Sequence, residues 1–170
     1  ILEFENRMRQ LDNEFNQMKK DNLPPYMMQP FIDSLMARAM RIETEKKEYQ
    51  NSVIEQYRGT LFASVVKSSM ELPQPPQEVY GSQHLMQLYM ADHLFDNYEW
   101  SDARLNNTPI SVNKRKQFAN LLYYLDSQEG APYLQKVLTN ARVNEKAYFA
   151  LFDHLEKVLG ATKSPYRVEG

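Results

Sequence analysis

Residues 1–18, ILEFENRMRQLDNEFNQM, set Ile1, Phe4, Met8, Leu11, Phe15 and Met18 at alternating steps of three and four, the spacing of one apolar stripe along an α-helix. A second stripe follows at Met28, Ile32, Leu35, Ala39, Ile42, Tyr49 and Val53, with Lys46 interrupting it. Asp21-Asn22-Leu23-Pro24-Pro25 separates the two, and two helices joined by a short proline-bearing turn form an antiparallel hairpin. Residues 1–58 are therefore expected to be a helical hairpin extension. The hairpin is also the part expected to move or to form a homodimer, because a narrow stripe buries less than a wide apolar face. The stripe is in phase at Ile1 with no capping residue before it, so the helix is expected to begin upstream and the chain to be an excised fragment.

Working outward, helix follows helix. Gly59 can close the second helix and Thr60 can cap a third that buries Leu61, Phe62, Val65, Val66 and Met70. Leu72-Pro73-Gln74-Pro75-Pro76 should run extended. A fourth helix near Gln83–Asp96 is apolar almost all round and is expected to be central. Ser111 can cap a fifth that buries Phe118, Leu121, Leu122 and Leu125, and Gly130 with Pro132 should break the chain before Tyr133, Leu134, Val137 and Leu138. Asn144 can cap the last, with Gly160 at its end. No segment alternates as a strand does. The sequence thus predicts an all-α protein of six to seven helices: the hairpin, then an irregular helical bundle domain over residues 60–170.

Composition narrows the function. At 170 residues and 42% apolar content with five glycines, the chain can bury a substantial core. A net charge of −2 gives no broad basic field, so no nucleic-acid partner is expected. No apolar run is long enough to span a membrane, and no signal peptide opens the chain. Without cysteine, the chain cannot carry out thiol-disulfide exchange by itself. No phosphate loop, nucleophile elbow or His-Glu-x-x-His is present, so no catalytic residue and no cofactor are assigned.

Tyr89–Pro109, YMADHLFDNYEWSDARLNNTP, is too idiosyncratic for generic helix. Its His93, Phe95, Asp96, Trp100, Ser101, Asp102, Arg104, Leu105, Thr108 and Pro109 resemble the signature of a helical domain of unknown function in bacterial envelope proteins. In that family the domain precedes a thioredoxin-fold domain of the TlpA or AhpC/TSA type. Leu61–Pro76 (LFASVVKSSMELPQPP) and Ser164–Glu169 (SPYRVE) are similar to further family elements, and Asn106-Asn107 replace the usual Leu-Arg. The resemblance covers roughly residues 60–170. It implies a non-catalytic accessory domain in the periplasm or cell envelope, whose partners are a thioredoxin-fold domain of the same polypeptide and a protein or peptide client. A free-standing ligand- or peptide-binding module is the alternative.

Candidate binding residues are Asp92, His93, Asp96, Tyr98, Trp100, Asp102 and Arg104. Asp92 and Asp96 share a helix face with His93 between them, donors that a metal-dependent enzyme would use. The competing structural reading makes Arg104 an ion-pair pin to Asp92 or Asp96, tying the loop to the central helix, and is preferred because buried charges are normally paired. Tyr98 and Trp100 should fill the space beneath an ordered loop, with packing favoured over a ligand pocket. Ser101 or Asp102 can cap a short turn, and Pro109 holds Thr108 extended. Lys114-Arg115-Lys116 is expected in the first turn of a helix and in solvent, where the macrodipole disfavours it; a carboxylate-bearing partner is the functional alternative. Met27, Met28, Met36 and Met40 read as gap fillers or as an adaptable surface.

Overall fold

Among the described residues the sequence forms seven α-helices and no strand: α1 (Leu2–Lys20), α2 (Pro25–Gln56), α3 (Leu61–Ser68), α4 (Gln83–His93), α5 (Pro109–Tyr124), α6 (Ser127–Ala141) and α7 (Glu145–Gly160). Short 3-10 turns occupy Gln77–Val79 and Ala103–Asn107. The structure is a computed structural model that describes residues 2–21 and 24–160. The readings at Ile1, Asn22, Leu23 and Ser164–Glu169 lie outside the described residues. The chain divides into two compact units, residues 1–55 and 56–170.

In the first unit, α1 carries Glu3 and Glu5 in its first turn and Lys19 and Lys20 in its last, each sign opposite to the helix dipole end it faces. Phe4, Met8, Leu11 and Phe15 pack with Leu35, Ala39 and Ile42 of α2, the two expected stripes meeting as a hairpin. Arg7 reaches Glu45 at 2.7 Å and Arg38 reaches Glu14 with both guanidinium nitrogens, fixing the antiparallel sense. The second stripe differs at one point: Tyr49 is half-exposed, with its ring 5.9 Å from that of Phe4, and Gln50 is buried in its place. A straight helix drifts against a strict seven-residue repeat, and the neighbouring position rotates inward.

In the second unit, Gly59 (φ +80°) takes the left-handed conformation that closes α2, and the Thr60 side chain accepts the Ala63 N–H to start α3. Residues 71–76 run extended and are tied to α4 and its following turn. The Tyr89 hydroxyl donates to the Pro73 carbonyl at 2.7 Å, and the Asn97 amide to the Glu71 carbonyl at 3.2 Å.

The centre of this unit is not α4. Only Ala91 of that helix is buried, whereas α5 supplies Phe118, Ala119 and Leu122 and α7 supplies Leu151, Leu155 and Leu159 to one continuous core. The apolar residues of α4 that matter to the core, Leu94 and Phe95, lie in the turn beyond its end.

Two boundaries also move. The cap of α5 is Thr108, which accepts the Ser111 N–H, with Pro109 at the first helical position; Ser111 is itself buried inside the helix. α6 is capped by Asp126, which accepts from the Gln128 and Glu129 amides at 2.9 Å. Gly130 and Pro132 therefore lie within the helix, where the strong cap and the burial of Gly130 and Val137 offset one missing intrahelical bond. Asn144 caps α7 as its sequence suggests, accepting from Lys146 and Ala147. Among the described residues no helix is long and apolar enough to cross a membrane.

Candidate functional site

The chain leaves α4 at His93 and reaches α5 at Pro109 through a loop whose carboxylates and hydroxyls are tied into the surrounding structure. Asp102 is its anchor. One carboxylate oxygen accepts the Arg104 backbone N–H (3.1 Å) and Nε (2.8 Å), capping the turn Ala103–Asn107; the other accepts the Ser64 hydroxyl of α3 at 2.7 Å. The Arg104 guanidinium beside it, assisted by Ser64, holds the Asp102 carboxyl at about 2. Glu99 makes a parallel link, accepting from Lys67 of α3 at 2.7 Å and from Ser101 at 2.8 Å, and these bonds, Lys67 first, lower its proton affinity.

Arg104 does not pin the loop to α4. Its side chain is 53% exposed, chelates Asp102 two residues away and donates onward to the Gly59 carbonyl at 3.0 Å. The tight 3-10 turn brings Arg104 back over its own cap, so the anchor runs to the start of α3.

Asp92 and Asp96 have other partners. Asp92 accepts from Lys136 of α6 at 2.7 Å, and Lys136 also meets the Asp92 carbonyl at 2.8 Å. His93 lies against the Tyr89 ring at 4.3 Å, with Nδ1 2.6 Å from Asp96 and Nε2 3.6 Å from Asp92. A carboxylate can only accept, so Nδ1 donates to Asp96. The trio is thus brought together, but as links of a surface network joining α4 to α6, to which His84 and Glu129 add a second contact at 2.9 Å. Among the described residues no three His, Asp or Glu side chains are arranged to hold a metal ion.

The aromatic residues form the loop's underside. Phe95, Tyr98 and Trp100 contact one another with ring centroids 4.6–5.6 Å apart, and Phe95 meets Phe118 edge to face at 5.6 Å. The Tyr98 hydroxyl lies 2.6 Å from the Ser111 hydroxyl, and burial raises its pKa against that bond. This is core packing on one side. On the other, Tyr98 and Trp100 join Glu99, Ser101, Thr139, Asn140 and Val143 around an open groove of about 520 Å³. The Trp100 Nε1 is enclosed there without a hydrogen-bond partner.

The basic run divides its work. α5 begins three residues earlier than expected, its cap being Thr108 and not Ser111, which moves Lys114 past the first turn. Lys114 is buried, donates at 2.6 Å to the Leu94 carbonyl at the end of α4, and has its pKa lowered by burial against the attraction of Asp96. Arg115 donates to the Asn106 carbonyl at 3.0 Å, ending the 3-10 turn in the same way. Both are cations at the carbonyl end of a preceding element, the favourable end of its dipole. The sequence shows the charges but not these acceptors, because both lie a turn or more away across the loop. Ser64, Lys67 and Lys136 were likewise hidden, each a plain surface residue until a partner more than thirty positions away is placed beside it. Comparison with protein-family models, with curated proteins and with solved structures finds no match for this chain.

Proposed function

We propose that this chain is the non-catalytic helical accessory domain of a larger bacterial envelope protein, positioning an adjacent thioredoxin-fold thiol-disulfide oxidoreductase domain or that domain's client. The observation that carries this reading is how the signature stretch is used. Ser101 through Glu99, Asp102 and Arg104 brace a loop against α3 and its start, and the braced loop presents Tyr98 and Trp100 along an open groove. A fixed aromatic groove rimmed by Ser101, Thr139 and Asn140 suits an extended peptide, whose apolar side chains meet the rings and whose amides meet the rim. Tethering such a client beside an oxidoreductase raises its local concentration without chemistry in this domain. The identity of the partner and the periplasmic or envelope location come from the resemblance of the signature.

In the test, the purified chain shows no insulin reduction. Its removal from the full-length protein changes client selection yet leaves the oxidoreductase domain competent towards a small disulfide. Val143→Asp, an exposed change at the groove, weakens client crosslinking without unfolding the bundle. Turnover by the chain alone, or a downstream frame with no thioredoxin-like domain, overturns the reading. The same groove favours a free-standing peptide-binding module as the second reading, and the downstream frame separates the two. The hairpin offers a surface for a second copy, since Met27, Met36 and Met40 of α2 are all more than half exposed. A mass that stays monomeric at high concentration removes the homodimer.

A further inference from the structure

The hairpin holds a cavity of about 230 Å³, lined by Arg7, Gln10 and Leu11 of α1 and by Arg38, Arg41 and Ile42 of α2. Each helix contributes residues at i, i+3 and i+4, which share one face, so Arg-x-x-Gln-Leu stands opposite Arg-x-x-Arg-Ile. Leu11 and Ile42 are buried in the hairpin core and form the floor. The rim is polar and open: the Arg7 and Arg38 side chains keep 35% and 49% of their surface exposed, and Gln10 and Arg41 are exposed as well. Two of the three guanidiniums already hold a carboxylate from the opposite helix. Arg7 holds Glu45 at 2.7 Å, and Arg38 holds Glu14 through both nitrogens. Arg41 holds none, since Glu45, one turn along α2, is spent on Arg7. Among the described residues the Arg41 guanidinium and the Gln10 amide make no ion pair or hydrogen bond. The rim therefore carries one uncompensated positive charge above an aliphatic floor.

We propose that this cavity binds the carboxylate of an aliphatic acid, either a free acid or the C-terminal carboxylate of a polypeptide, through Arg41 and Gln10. The open Arg41 fork presents parallel N–H donors that match the two oxygens of a carboxylate, as the Arg38 fork does for Glu14. The Gln10 amide supplies a further donor from the facing helix. Charge selects a carboxylate over a phosphate dianion: one negative charge balances the rim, whereas two would leave it net negative beside Glu14 and Glu45. The floor selects the rest of the ligand. Leu11, Ile42 and the methylene stems of the arginines offer a hydrocarbon surface on which an aliphatic chain loses water. The site shares no residue with the Trp100 groove and stands independently of the accessory-domain reading.

The test follows the Arg41 Nε–H and Gln10 side-chain amide resonances of the whole chain by NMR while hexanoate is added at constant ionic strength. Chloride, hexanamide and inorganic phosphate are the comparators, and an N-acetylated dipeptide ending in a free leucine carboxylate is the second arm. Saturable shifts with hexanoate and none with chloride are expected. Arg41→Gln should weaken the midpoint about tenfold, as expected for loss of one charge-assisted contact, with unchanged helical content because the side chain is exposed. Arg41→Lys keeps the charge without the fork and should fall between the two. Tighter binding of the dipeptide identifies a polypeptide C-terminus as the ligand, and equal or weaker binding identifies a free acid. A linear, non-saturating shift overturns the site, as does a saturable one that survives unchanged in Arg41→Gln. Hexanamide or phosphate binding as tightly as hexanoate overturns the carboxylate.

Discussion

The hairpin of residues 1–55 and the bundle of residues 56–170 are both made of amphipathic helices, but they enclose their apolar residues to different degrees. Leu11, Leu35, Ile42 and Val53 retain 5–8% exposure, whereas Leu105, Phe118, Leu122, Leu151, Leu155 and Leu159 of the bundle retain none. Two helices can cover only the line where they meet, and a side chain on that line keeps an edge to water. A helix with neighbours on several sides, as α5 and α7 have, can surround a ring or an isobutyl group completely. The hairpin relies in addition on charge pairs along its flanks, and α2 leaves Tyr26, Met36 and Met40 outside.

The sharpest way to break this contrast is to remove matched core groups. Phe118→Ala should cost about 3–5 kcal/mol and Leu151→Ala a similar amount, because no mobile surface can collapse into the hole. Leu11→Ala should cost about 2 kcal/mol, the low end for a leucine, since the hairpin can close over the loss. Thermal unfolding followed by circular dichroism measures all three. Equal costs in the two units would mean that the hairpin is as well enclosed as the bundle.

Next in size is the buried cation. Lys114→Ala removes the side-chain donor to the Leu94 carbonyl and should cost about 1–3 kcal/mol. Lys114→Met keeps the apolar stem and should recover part of that. A Lys114→Ala variant as stable as the parent would show that water serves the α4 end equally well.

The pH profile probes the loop brace. Asp102 is held at about 2 against an ordinary value of 3.8, so its stabilisation is fully present above about pH 4 and is lost as the pH falls towards 2. His154 acts earlier. Its folded pKa is lowered, so the unfolded chain binds the proton better and stability declines as the pH falls below the ordinary value of 6.5. Asp102→Ala should cost about 1–2 kcal/mol through loss of the cap and the Ser64 bond, and should flatten the limb below pH 4. His154→Gln should flatten the limb below pH 6.5 only. Arg104→Ala should cost less than Asp102→Ala, under about 1 kcal/mol because its side chain is half exposed, and should move the Asp102 limb up towards the ordinary carboxylate range.

These differences track what was legible beforehand. The helix count, both stripes, the caps at Thr60, Asp102 and Asn144 and the extended proline segment all follow from local chemistry within a few residues. What sequence could not supply is the order of layers. A helix apolar all round, α4, reads as central, yet the burial falls on Leu94 and Phe95 just past its end and on α5 and α7. The same limit governs the site. Asp92, His93 and Asp96 were visible as a group, but their place in a surface network depends on Lys136, 44 residues and two helices beyond Asp92.

The smallest effect is the one that tests whether the hairpin's flanking charges compensate for its thin core. Arg7 and Glu45 are each more than a third exposed at a separation of 2.7 Å, so water competes for both groups and ordering two long side chains opposes the attraction. A double-mutant cycle with Arg7→Ala and Glu45→Ala should give a coupling of about 0.2–1 kcal/mol, falling further in about 1 M salt, where screening acts within roughly 3 Å. Such a value makes the pair a guide to antiparallel register, with the stripe of Phe4, Met8, Leu11 and Phe15 holding the helices together. A coupling well above 1 kcal/mol that persists in salt would reverse that ranking. The hairpin would then be an electrostatic element and the bundle a hydrophobic one, and Leu11→Ala should accordingly prove nearly silent.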